Sequence, residues 1–186
     1  MDSAAVMWRS LIRLARDESA LAQADTERSV TAGRKLKDPQ ALVPALGIAA
    51  MVYAELGETD RARDLLEELQ PGPYIAAIPT AFFAASRAGV AEEFREKVRE
   101  FRRSTPWDQA ADAVLDGRWV EAADTFDEIG ARPFAALAAL RAAEAFLAQG
   151  RRAEADQNLS RALEFWRSVS AKRYVREGEA LLAASA

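Results

Sequence analysis

The sequence predicts an all-α protein: a right-handed α-solenoid of about five helix hairpins, closed by a C-terminal capping helix. Three observations point there. Of 186 residues 42 are alanine, and Val, Ile and Thr together number only 21, so strong helix formers far outnumber strand formers. No stretch sustains period-two alternation for long. Glycines recur between apolar-periodic segments at near-constant spacing, as a repeated helical unit requires.

Reading between the punctuation gives helices over about 3–16, 18–36, 39–56, 59–69, 73–88, 90–103, 106–116, 118–129, 133–149, 151–169 and 172–184. They pair as hairpins over about 1–37, 38–70, 72–104, 105–130 and 131–170, with 172–184 as the cap, all in a single domain of residues 1–186. Asp38 before Pro39 reads as an N-cap followed by an N1 proline, and Thr105-Pro-Trp-Asp108 as a capping box with Asp in place of Glu. Pro44 and Pro79 fall inside expected helices, where each removes a backbone donor and should kink the helix or move its start.

The spacing of the turns is the strongest signal. Gly57, Gly117 and Gly150 are each followed five residues later by alanine (Ala62, Ala122, Ala155), and Gly89 keeps the phase with Phe94. These glycines lie 32, 28 and 33 residues apart, and Asp17 with Ala22 marks an earlier, longer unit. A tight helix–helix turn needs a residue tolerant of unusual backbone angles, and helices approach closely only where side chains are small. Tyr53, Phe146, Leu159 and Ala162 fall at packing positions of the same unit.

The spacing resembles the 34-residue unit of the tetratricopeptide family. Within about the last 70 residues the likeness is narrower: the chain resembles the C-terminal helical tail of large bacterial signalling ATPases, including those linked to adenylate or guanylate cyclase domains or to LuxR-type DNA-binding domains. The residues that carry it are Gly117-Arg-Trp119 with Ala122, Ala123 and Phe126, then Ile129-Gly-Ala-Arg-Pro133, Leu140 to Ala145 and Gly150 to Ala155. Phe165 to Val169 and Tyr174 to Glu177 complete it. The resemblance implies a regulatory array, detached or truncated from its enzyme. A cytoplasmic location is expected separately, because Met1 to Ser10 lacks a basic stretch followed by a continuous apolar run. Neither ATPase nor cyclase activity carries over, because the chain has no Gly-x-x-x-x-Gly-Lys-Ser/Thr segment.

Composition removes much chemistry. With no cysteine and no histidine there are no thiol nucleophiles, disulfides, Cys/His zinc sites or imidazole bases. The densest acidic spots, Glu67-Glu68, Glu92-Glu93 and Glu177 with Glu179, sit among arginines and lysines at helical spacing and read as solvated helix faces. Nothing resembles a calcium loop, so no cofactor or metal is expected. Net charge is −4, and the basic run Arg95, Lys97, Arg99, Arg102, Arg103 is interleaved with Glu92, Glu93, Glu96 and Glu100, so nucleic acid is not an expected partner. Arg102 and Arg103 are placed in a last helical turn, facing its carbonyls. No run of 18 apolar residues is present, and no membrane partner is expected.

The expected role is non-enzymatic protein binding. In a repeat array the first helix of each pair lines the concave surface. That phase selects Met51, Glu55, Phe83, Arg87, Trp107, Ala111, Leu140 and Glu144 as a partner-binding groove, extended by Met7, Leu11, Leu14, Gly47, Val114 and Leu147; the alternative is that strong superhelical curvature or a shifted phase buries them as ordinary core. Trp107 is the expected interface anchor, while Trp119 and Trp166 read as core. The partner would be a protein or peptide: upstream domains of the same polypeptide or a second copy of the chain. An alternative is a sensor that encloses a small apolar or peptide effector in the same groove, oriented by Arg87 or Glu144. A carboxylate hydrolase is the third reading, and it requires two convergent acids with opposed pKa shifts.

Overall fold

The computed structural model describes residues 3–72 and 78–184. Among them all regular structure is helical: α1 Ser3–Ala15, α2 Ser19–Leu36, α3 Pro39–Glu55, α4 Thr59–Glu68, α5 Pro79–Arg87, α6 Ala91–Val98, α7 Pro106–Leu115, α8 Trp119–Glu128, α9 Arg132–Ala148, α10 Arg152–Ser168 and α11 Lys172–Ala184. No helix among the described residues is long and apolar enough to cross a membrane.

The turns explain the spacing. Gly57, Gly89, Gly117 and Gly150 all have positive φ, from 68° to 84°, where a Cβ is strained. At Gly57 the glycine N–H donates to the Ala54 carbonyl at 3.1 Å and the next N–H, of Glu58, to Tyr53 at 2.9 Å, the paired bonds of a Schellman motif. Glu58 is at once the N-cap of α4, and its carbonyl accepts the Ala62 N–H. The fifth residue after the glycine therefore lands one turn inside the new helix. Ala62, Ala122 and Ala155 there are fully buried, and Phe94 nearly so. Asp17 and Ser170 make the same turn without glycine, at φ 69° and 56°.

By backbone packing the chain forms two compact units, Met1–Leu14 with Glu18–Ser104 and Ala15–Asp17 with Thr105–Ala186. In the first, α3 is the central helix, packed by α2, α4 and α5. Residues 43–54 carry no charged side chain, as a helix buried on every side requires, with Pro44 the one intermediate position among them. Helix termini are tied down by basic side chains from neighbouring helices. Arg63 of α4 donates twice to the Ala88 carbonyl at the end of α5 (2.9 and 2.7 Å), and Lys97 of α6 donates to the Leu66 carbonyl of α4 at 2.8 Å. α1 is held to α2 by Asp25, a buried carboxylate that accepts from Arg9 at 2.6 and 2.7 Å and lies 2.7 Å from Arg13.

In the second unit α9 has the central place, between α8 and α10, and is buried from Ala135 to Ala143. Phe126 of α8 is fully buried against Trp107 and Phe134, with ring centroids 6.2 and 5.6 Å away. α11 packs on α10 through Tyr174, stacked on Trp166 at 4.4 Å, and through Gly178, where a Cβ would come within 2.8 Å of the Leu163 side chain. Buried Arg141 of α9 joins Glu144 to Glu177 of α11.

Two expected boundaries move. The helix expected over 73–88 begins at Pro79: residues 73–77 lie outside the described residues, and Ile78 is non-helical (φ −123°, ψ 69°), as the residue before a proline tends to be. The helix expected to run to 103 ends at Val98, tightens into a 3-10 turn over Arg99–Phe101 and is extended at Arg102. Arg102 and Arg103 therefore stand beyond the last helical turn, and Arg102 lies 5.8 Å from the centre of the Phe82 ring. Both expected caps form: Asp38 accepts from the Gln40 N–H at 2.9 Å, and Thr105 and Asp108 make a reciprocal capping box.

Candidate protein-binding surface

Five of the eight residues assigned to a groove are interior. Met51, Glu55, Phe83, Ala111 and Leu140 are each at most 5% exposed, and Gly47 faces Ile78 and Ala81 so closely that a Cβ would meet Ile78 at 2.9 Å. The structure brings Glu55 and Arg87 together at 3.5 Å, a buried carboxylate with a half-exposed guanidinium. Trp107 is half-buried at the start of α7, edge-on to Phe126. Glu144 is half-buried and accepts from Arg141 at 2.7 Å. In each unit, these positions lie on helices covered on more than one side, so their apolar residues pack instead of forming a continuous exposed strip.

The open surface lies elsewhere. In the second unit a cleft of about 670 Å³ runs along the seam of α8 and α9. Its floor is Ala142, Ala145 and Phe146 of α9; small side chains leave the room, and Phe146 offers an aromatic face. Arg151, at the start of α10, closes one end with its guanidinium 4.3 Å from the Phe146 ring. The α8 wall carries Glu121, Asp124 and Glu128, all exposed and spaced along one side of the helix. Trp119, expected in the core, is only half-buried and lines this cleft beside Val120, which is 38% exposed. As the first residue of α8, Trp119 has only part of a helix turn to pack beneath. Trp166 is core as expected.

Charge around the cleft leans negative. Arg118 is matched by Asp116 at 2.9 Å and by Glu121, Arg151 by Glu154 at 2.9 Å, and Asp124 by Arg161. Among the described residues Glu128 has no ion-pair partner. Side-chain bonding from Glu121, then Asp116, holds Arg118 above its ordinary range, so this cation is committed within its own helix end.

A second cleft, of about 390 Å³, lies in the first unit among α2, α3 and α4. Here the walls are bridged: Arg61 of α4 donates to Glu27 of α2 at 2.7 Å, and Arg34 of α2 is paired bidentately with Glu68 of α4. The Arg34 bond pulls the Glu68 carboxyl below its usual range. Tyr53 at the floor is pushed up to about 12, chiefly by burial, with Arg61 opposing and Glu27 adding. The Asp25 carboxyl is pulled down by its bond with Arg9. These carboxylates are held charged by arginine, an arrangement that fixes structure and does not tune a proton donor. Among the described residues no three acidic side chains gather so as to hold a metal ion.

Sequence reasoning missed Val120 and Glu128. A valine among the exposed positions of α8 was the available signal. No protein-family model, curated protein or solved structure matches the chain.

Proposed function

We propose that the chain is a right-handed α-solenoid of five tetratricopeptide-like hairpins capped by α11, and that it works as a non-enzymatic protein-binding scaffold. One observation carries this reading: side-chain contacts that join every second helix, α2 to α4 and α8 to α10, recur at sequence intervals of 34 to 38 residues. Glu27–Arg61, Arg34–Glu68 and Asp127–Arg161 are each separated by 34 residues. With the glycine turns and the buried alanines five residues on, the interval supports a repeated unit stacked on itself. Such a stack presents side chains from several helices on one preorganised surface, so a partner binds with little ordering cost. By resemblance, the partner belongs to bacterial signalling or transcription control by large ATPases.

The test is site-specific photo-crosslinking in cells of the source organism, with a photoreactive residue at Val120 in one variant and at exposed Ile12 in another. The reading expects at least one discrete adduct that saturates and is competed by excess unlabelled chain. Adducts that neither saturate nor compete at either position contradict it.

A further inference from the structure

We propose that the α8–α9 cleft is the docking site for a basic amphipathic helix of a partner protein. The inference rests on the scaffold reading above and names the site and the class of partner. The floor is apolar, with Ala142 buried and Ala145 and Phe146 half-buried, and the groove runs along two packed helices, the setting in which a third helix seats its side chains between existing ridges. One wall bears Glu121, Asp124 and Glu128, which span two turns of α8. Both arginines at the rim already have carboxylate partners, whereas Glu128 has no cationic partner among the described residues, so the uncompensated charge facing an incoming helix is negative. An apolar face would enter over Phe146 and Ala145 while lysines or arginines beside it meet the α8 wall. Charge complementarity of this kind selects the partner and speeds its approach. Arg61–Glu27 and Arg34–Glu68 bridge the walls of the first unit's cleft, and in the second unit Arg161 of α10 bridges to Asp124 and Asp127 of α8, so the wall carboxylates left clear of such a bridge among the described residues are Glu121 and Glu128.

The probe is a synthetic amphipathic Leu/Lys helix of about 18 residues, five helical turns, with a Leu/Glu helix of the same pattern as control. Binding is followed by fluorescence anisotropy of the labelled peptide. The Leu/Lys helix should bind and the Leu/Glu helix should not. Ala145→Arg, which fills the floor, and Glu128→Lys, which reverses the wall, should each weaken binding at least tenfold. Glu93→Lys, an equal charge change on exposed α6, should leave it within twofold. Circular dichroism and the melting midpoint establish that each variant is folded. Failure of the Leu/Lys helix to bind, equal binding of both helices, or equal effects of Glu93→Lys and Glu128→Lys would overturn the proposal. So would concentration-dependent self-association that Ala145→Arg abolishes, since the occupant would then be a second copy. If the peptide fails while the photo-crosslinks still capture a competed partner, the docking site falls and the scaffold stands; if both fail, the scaffold falls as well.

Discussion

The guanidinium of Arg61 lies 4.1 Å from the centre of the Tyr53 ring while donating to Glu27 at 2.7 Å, so one side chain of α4 covers the floor of α3 and ties down α2. The Tyr53 hydroxyl is 3.4 Å from the same carboxylate. Three helices meet at this point, and its ionisation reports on their packing.

Alkaline stability follows from it. The Tyr53 hydroxyl is raised from 10 to about 12, so its contribution is fully present below the unfolded value of 10 and is lost as pH rises through 12. Urea melts between pH 9 and 12 should show stability falling over the upper two units. Tyr53→Phe should flatten that limb and cost under about 1 kcal/mol at pH 7, because the hydroxyl bond is long.

Acid stability turns on Asp25. Its carboxyl is lowered from 3.8 by the bond with Arg9, so its stabilisation is present above that value and is lost as pH falls through the lower folded value. Asp25→Asn should cost about 3 kcal/mol at pH 7, the lower end for a broken buried pair because Arg9 and Arg13 keep part of their hydration. Denaturant melts at pH 7 and pH 3 check both parts: the difference between wild type and variant should shrink at the lower pH.

The turn at Gly57 separates backbone strain from crowding. A Cβ there meets nothing within 4 Å, but φ is +84°. Gly57→Ala should therefore lower stability by about 1 kcal/mol, and Gly57→Asn should recover part of it, since asparagine tolerates the left-handed region. Equal losses for the two variants, read from thermal melts, would locate the cost outside the backbone.

Much of this fold is legible locally. The glycine-plus-five pattern, the Asp38 cap and the Thr105–Asp108 box depend on residues within a turn of each other, so spacing alone reveals them. The start of α5 is not, because the segment reads as apolar and helical on both sides of Pro79. Arg63 reaching Ala88, and Lys97 reaching Leu66, join residues 25 and 31 apart and leave no local mark. The groove assignment placed Met51, Phe83 and Leu140 on a surface. The uncharged run of 43–54 already pointed the other way, since a helix with no polar stripe has covers on every side. Charge around the α8–α9 cleft could not be read from the sequence either, because what matters is which carboxylates lack an arginine, and Asp124 finds its arginine 37 residues away.

The 34-residue register is tested most directly by cross-linking in this naturally cysteine-free chain. Cysteines would be placed in pairs at Glu27 with Arg61 and at Asp127 with Arg161, and treated with a short bismaleimide. Control pairs would join Arg28 with Arg61 and Glu128 with Arg161, turned by about 100° around the first helix. The repeat account predicts fast intramolecular cross-linking of both 34-residue pairs and much slower reaction of both controls. Equal rates for matched and control pairs would contradict it.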